Sequence, residues 1–359
     1  MGCYLTLKDT VRLVVSRNSI LETAAAVLVS ADLNMLSSGN IWITFADEVG
    51  FGSGVSKEVF QCLSKELTSE VQLAVSWVSF AVCLLLWWFF FVNTSNNEQK
   101  YNIFRLTENQ DSYHPVQDIF TSVDAERSKT YYLLAGIIIG LAIAREGVFL
   151  DISFSIPMLK KLTGQHCDLS DLEALDRALY NSILWLHQQD KQSKEEIADI
   201  VQSYFVAHEA HPDTRADVSI DLIPGGSSIL IDNENKDRYV ELLWQWKTSK
   251  SCEQALKWIK TGINRVFAIR WLQMFSASEL QLLISGLPTI DVIDWKENTT
   301  LEGYCSNSKQ MLWFWEVVSS LRDEGLSQQS ISIRFHEMTY HQKRLSCCSL
   351  PQDRPGYRW

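Results

Sequence analysis

Apolar and polar residues alternate from Thr10 to Arg17, the period of a half-buried strand, and a helical stretch is predicted around Leu21 to Leu36. A second strand, IWITF at 41–45, is followed by the Gly-rich turn GFGSG at 50–54. Val59, Phe60, Leu63 and Leu67 then recur at helical spacing. Residues 93–123 are polar and irregular and read as a long loop or a disrupted region. From Leu133 the pattern becomes a buried helix ending near Gly147, and Pro157 opens a short helix through MLKKL. Ser170 and Glu173 have the spacing of a capping box. Leu172, Leu175, Leu179, Ile183 and Leu186 then step by three or four as one buried helix face.

VSIDLIP, the pair Gly225-Gly226, and SSILI read as two strands joined by a turn, and a helix resumes over 235–246. Ser276 to Glu279 forms a second capping box with Phe275 and Leu280 placed as a hydrophobic staple, and Gly286 supplies a stop. Between these elements lies VQLAVSWVSFAVCLLLWWFFFV, residues 71–92, uncharged and about long enough to cross a bilayer core. Its flanks carry Lys57 and Lys65 before and Lys100 and Arg105 after, so charge does not orient it.

At 359 residues and 46% hydrophobic, the chain can bury a sizeable core in two or three domains. Its net charge of -11, with 43 acidic against 32 basic residues, argues against a nucleic-acid partner. The eight cysteines are scattered, as reduced thiols are in the cytosol, and no secretory leader pattern opens the chain. A cytoplasmic location is expected, with membrane association through 71–92 as the open alternative.

Several patches together resemble the HECT ubiquitin ligases. They are IWITFADEVGFGSGVSKEVFQCLSKEL, TYYLLAGIIIGLAIAREGVFLDISFSIPMLKKLTGQ, DLEALDRALYNSILWL, DLIPGGSSILIDNENKDRYVELL and SELQLLISGLPTIDVIDWKENTTLEGY followed by WFWEVV, in that order. The resemblance implies an α+β, bilobal fold: a mostly helical N-lobe over 1–286, with a small conjugating-enzyme-binding α/β subdomain at about 170–251, and an incomplete C-lobe. That C-lobe would start at 289–324, and 325–359 is an unassigned tail. In such ligases a cysteine thiolate attacks the thioester joining ubiquitin to its conjugating enzyme, and a substrate lysine then attacks the new thioester. The implied partners are therefore a ubiquitin-conjugating enzyme, ubiquitin and an unidentified protein substrate.

By the same resemblance the hinge between lobes falls at Ser285, Gly286, Leu287 and Pro288, and Tyr239 and Leu243 are the contacts for the conjugating enzyme. Both of the latter also suit a plain core stripe. No Leu-Pro-x-x-His-Thr-Cys-Phe-Asn run, the family's nucleophile motif, occurs in the 359 residues. The expectation is a truncated or alternatively spliced domain that cannot complete transfer alone. Its competitors are a non-catalytic module that holds a conjugating enzyme and a membrane-anchored fragment.

The remaining constellations read more plainly as structure. Cys347 and Cys348 lack the motif's context and are taken as free thiols. His208 and His211 sit in HExH rather than HExxH spacing, and GFGSGVSK matches no phosphate-loop pattern, so no metal site and no cofactor is expected. Trp244, Trp246, Trp258, Trp271 and Trp295 read as core and interface bulk.

Overall fold

A computed structural model describes residues 11–37, 41–46, 48–68, 103–121, 125–145, 147–189, 197–211, 216–286, 292–297, 299 and 307–323. The fold is α+β and mostly helical, and among the described residues there are three separate two-stranded sheets. The apolar run 71–92, the second half of the expected hinge, and the tail from 325 lie outside the described residues. Among the described residues no helix is long and apolar enough to cross a membrane.

Strand β1 (Val11–Val15) pairs in parallel with β2 (Ile41–Phe45), each burying alternate residues as the sequence period requires. The single helix expected between them is two, α1 (Ile20–Leu28) and α2 (Leu33–Ser37). The break is held from a distance: Arg265 donates to the carbonyls of Val29 and Ala31, at 2.7 Å each, satisfying acceptors that a helix end leaves open. Helix α3 (Ser53–Leu67) follows, as expected, directly behind the Gly-rich turn.

The polar stretch is not a disrupted loop. From residue 103 it forms the hairpin β3 (Phe104–Leu106) and β4 (Tyr113–Pro115), then the short α4 (Asp118–Thr121). Phe104 is buried against Tyr132 and Phe154, and the Tyr132 hydroxyl donates to the Ile103 carbonyl at 2.9 Å. Three-residue strands carry too little period to be seen in a sequence.

Two helices form the spine of the large core. Helix α5 (Ala125–Ala144) buries nearly every side, so it lacks an amphipathic stripe. It crosses α10 (Glu253–Val266) with the Cα atoms of Gly136 and Gly262 in the contact, where no side chain separates the backbones. Around this crossing pack α6 (Ile156–Thr163), opened by Pro157 and closed by Gly164, and α11 (Ala277–Ser285). The Ser276 and Glu279 capping box at the start of α11 is present in both directions, and Phe275 and Leu280 both join the large core.

A second, smaller core gathers Leu172, Ile183, Leu186, Ile197, Phe205, Ala207, Ile231, Val240 and Leu243. Its elements are α7 (Arg177–Gln188), α8 (Ile197–Val201), β5 (Val206–Ala210), β6 (Asp217–Asp221) and α9 (Lys236–Thr248). Two sequence expectations change here. The capping box is Asp168 with Asp171, on a short 3-10 turn at Leu169–Leu172, and Asp176 caps α7 separately. Leu172 and Leu175 are therefore buried ahead of the helix rather than on its face.

The hairpin also differs, because β6 pairs with β5 across 212–215 and not with SSILI. Gly225 takes a left-handed conformation and starts a 3-10 turn, so the chain bends away where a two-strand reading would carry it back. Helices α12 (Val292–Glu297) and α13 (Lys309–Asp323) pack on each other. Trp271 is 52% exposed with the Arg270 guanidinium 5.8 Å from its ring centre, so it is surface rather than core.

Candidate docking site and its anchoring network

The segment that leads into α9 is held by its own polar side chains. Asp232 Oδ1 accepts from the backbone N–H groups of Glu234 and Asn235 at 2.9 and 2.8 Å, and Asn235 Oδ1 accepts from that of Asp232 at 2.9 Å. Short Asx side chains turn the chain this way because they reach backbone donors two or three residues on. Lys236, 1% exposed, then donates its ammonium to the carbonyls of Leu186 and His187 at 3.2 Å each. A cation at a helix C-terminus satisfies open acceptors and the local dipole together, and here it joins α7 to α9.

These anchors determine what α9 presents. Leu243, 3% exposed, points into the small core beside Val240. Tyr239 is half-buried, its ring meeting Phe205 edge-on at 5.5 Å and 77°, and burial pushes its phenol up to about 12. Of the two residues singled out on this helix, one is core and one sits at the core's edge. The exposed apolar side chains of the same module are Trp185, Ile200, Tyr204, Ile229 and Leu230, with Tyr204 and Leu230 joined by an antiparallel bridge. Sequence reading passed over these five. Two of them, Ile229 and Leu230, lie in SSILI, which the sequence pattern reads as a strand.

Glu209 is the largest surprise. It stands between two histidines, in β5, and is 2% exposed. One carboxylate oxygen accepts from Gln117 Nε2 at 2.8 Å and lies 3.2 Å from Arg105 Nη2. The other accepts from Trp246 Nε1 at 3.1 Å and lies 3.0 Å from Lys247 Nζ. Arg105 and Gln117 come from the β3–β4 region beside the large core, and Trp246 and Lys247 from α9. A single buried carboxylate thus fastens the small module to the large one. His208 instead faces Asp217 at 3.0 Å within the sheet, and the His211 ring meets Phe120 edge-on at 5.0 Å.

Behind this network His114 lies fully buried between Ser155 Oγ at 2.7 Å from Nδ1 and Cys252 Sγ at 3.4 Å from Nε2. Burial, helped by the Arg105 charge, pushes its pKa down to about 3, and burial also raises the Cys252 thiol. A buried thiol without its thiolate is no nucleophile, so this cluster is structural. The unfolded chain binds a proton at His114 near 6.5 and the folded chain only near 3. Its contribution to stability is therefore complete above about pH 6.5 and is lost as pH falls toward 3, at up to about 1.4 kcal/mol per pH unit. Urea midpoints compared from pH 7 to 4 should fall less steeply in His114→Gln than in the unaltered chain; equal slopes would refute this assignment.

The expected hinge begins at the end of α11. The Ser285 hydroxyl donates to the Ile152 carbonyl, and Leu150 N–H donates to the Ile284 carbonyl at 2.8 Å. Gly286 ends the helix at φ 75°, and its N–H donates to Leu282 at 2.9 Å. Leu287 and Pro288 lie outside the described residues.

Comparison with known proteins decides the family. The model of the HECT-domain (ubiquitin-transferase) family matches residues 91–328. The chain belongs to the HECT family. Among curated relatives, it is 27% identical over 316 residues to "E3 ubiquitin-protein ligase Nedd-4" of Drosophila melanogaster, covering 88% of this chain and 27% of that protein. It is 34% identical over 214 residues to "E3 ubiquitin-protein ligase ptr1" of Schizosaccharomyces pombe, covering 59% of this chain and 6% of that protein. With "E3 ubiquitin-protein ligase TOM1-like" of Neurospora crassa it shares 28% identity over 319 residues, 88% of this chain and 7% of that one. This HECT chain therefore spans about a quarter of the first relative's length and less than a tenth of the other two.

Proposed function

We propose that this chain docks a ubiquitin-conjugating enzyme on the small module that carries Tyr239 and does not, by its own 359 residues, accept ubiquitin as a thioester. Membership of the HECT family supports the choice of partner. The observation that carries the site is the group of exposed apolar side chains, Tyr204 and Leu230 foremost, on the module where Tyr239 reaches the surface. Exposed aromatic anchors contribute strongly to protein interfaces, because they bury large area at small entropy cost. Leu243 acts one step removed, as core beneath the docking helix.

For transfer, a HECT-type thiolate would attack the thioester carbonyl of the charged conjugating enzyme and expel that enzyme's thiolate; a lysine amine would then attack and expel the ligase thiolate. No residue of this chain stands in the motif that supplies such a thiol. Ser285, Gly286, Leu287 and Pro288 would serve as the hinge of the transfer, with α11 as its fixed side, since few residues need absorb such a swing.

Binding of a panel of conjugating enzymes to the purified chain tests the first half. Tyr239→Ala and Tyr204→Ala should each weaken binding several-fold, more than about 1 kcal/mol if the side chain is an anchor. Leu243→Ala should instead lower the unfolding midpoint, by roughly 2–5 kcal/mol of stability, and leave the affinity of the folded fraction alone. Unchanged affinity in both tyrosine variants would remove this face from the proposal. The second half is tested with activating enzyme, charged conjugating enzyme and ubiquitin. A reductant-sensitive ubiquitin adduct lost in Cys347→Ala or Cys348→Ala would overturn it.

A further inference from the structure

On the far side of α10 from its crossing with α5, an open cleft of about 750 Å³ lies between α6, α10 and the 3-10 turns at Lys250–Cys252 and Ile269–Met274. Four lysines line it: Lys161 at the end of α6, Lys250 ahead of α10, and Lys257 and Lys260 one turn apart on α10. Among the described residues Glu253 is the only acidic one in its lining. Among the described residues none of these four lysines forms an ion pair, whereas Lys160 holds Asp171 at 2.7 Å and Lys247 holds Glu209 at 3.0 Å. A chain of net charge -11 has carboxylates in excess, yet this concave surface sets four ammonium groups against the single carboxylate of Glu253.

We infer that this cleft binds a small molecule carrying several phosphate groups. The cleft falls in the size range of small-molecule sites. Ammonium groups arriving from three separate segments surround a ligand on several sides. Each is a compact charge with three rotatable donors, suited to phosphate oxygens at varied angles. An acidic peptide fits less well, because acidic motifs are typically recognised by arginine clusters and all four cations here are lysines. Lys260 is also half-buried, and burial together with the neighbouring Lys161 charge lowers its pKa. A bound anion relieves both costs, so part of the binding free energy is already stored as repulsion in the empty cleft. The inference is independent of the docking reading above, since none of these residues belongs to the small core.

Inositol hexakisphosphate, titrated into the full 359-residue chain by calorimetry near physiological salt, is the probe. Saturable one-to-one binding is expected, weakening as salt rises because exposed charges are screened within about 8–10 Å. The double reversal Lys257→Glu with Lys260→Glu should reduce affinity by about tenfold or more, as loss of paired charges does. Lys65→Glu, an exposed lysine on α3, should leave it unchanged. If the half-buried Lys260 change unfolds the chain, Lys250→Glu with Lys257→Glu reverses two exposed positions and serves instead. Vesicles with and without a phosphoinositide separate the sources: binding to the free polyphosphate alone identifies a soluble ligand, and added binding to phosphoinositide vesicles identifies a lipid headgroup. No saturable binding, equal affinity in the reversal variants, or equally strong competition by polyglutamate at matched charge would overturn the inference.

Discussion

Gly136→Ala is expected to destabilise the chain by at least about 1–3 kcal/mol, because overpacking in a filled core forces backbone shifts. On an exposed helix the same change would stabilise, by up to about 1 kcal/mol, so the crossing of α5 and α10 reverses the sign. A methyl group at Gly136 would run into the Ile259 carbonyl and lie 2.9 Å from the Gly262 Cα, and one at Gly262 would meet the Leu133 carbonyl. These obstacles are backbone atoms of a helix, and a helix yields only as a whole. Gly140→Ala should cost less, since its methyl would meet Val266 Cγ2 at 3.0 Å and Cβ at 3.1 Å, contacts that a shift of a few tenths of an ångström relieves. Urea midpoints should therefore rank Gly140→Ala above Gly136→Ala and Gly262→Ala. A Gly136→Ala midpoint equal to or above that of the unaltered chain would show that the helices do not meet at this point.

Glu209→Ala should cost roughly 3–5 kcal/mol, the usual result of removing one partner from a buried charge network. The loss arises less from missing attraction than from what remains. Arg105 and Lys247 would face each other's charge without the carboxylate, and Trp246 N–H and Gln117 amide would lose their acceptor. Glu209→Gln keeps the shape and one acceptor oxygen, so it should fall between. Because the network spans the two cores, hydrogen exchange in Glu209→Ala should rise first in β5 and α9 and later in α5 and α10. A stability change under about 1 kcal/mol, or uniform exchange across both cores, would sink the idea that Glu209 fastens the modules.

What the sequence determined by itself is local and periodic. Strands at 11–15 and 41–45, the helix after GFGSG, the Pro157 start and the Ser276/Glu279 cap all rest on spacing or on a side chain reaching its own backbone. The ordered HECT-like patches were legible for a related reason, since each is a contiguous string. Tertiary structure alone decided the rest. The β3–β4 hairpin is short, and its support, Tyr132 and Phe154, comes from elsewhere in the chain. β5 pairs with β6 because Gly225 turns SSILI aside. Tyr239 and Leu243 share one helical stripe, yet one reaches the edge of the core and the other its centre, since Phe205 and the Lys236 anchor set the helix's rotation. The burial of Glu209 has no sign in the sequence because nothing beside it announces Arg105, 104 residues away. A buried charge is tolerated only where distant partners converge, and convergence of distant residues is what a folded chain has and a sequence lacks.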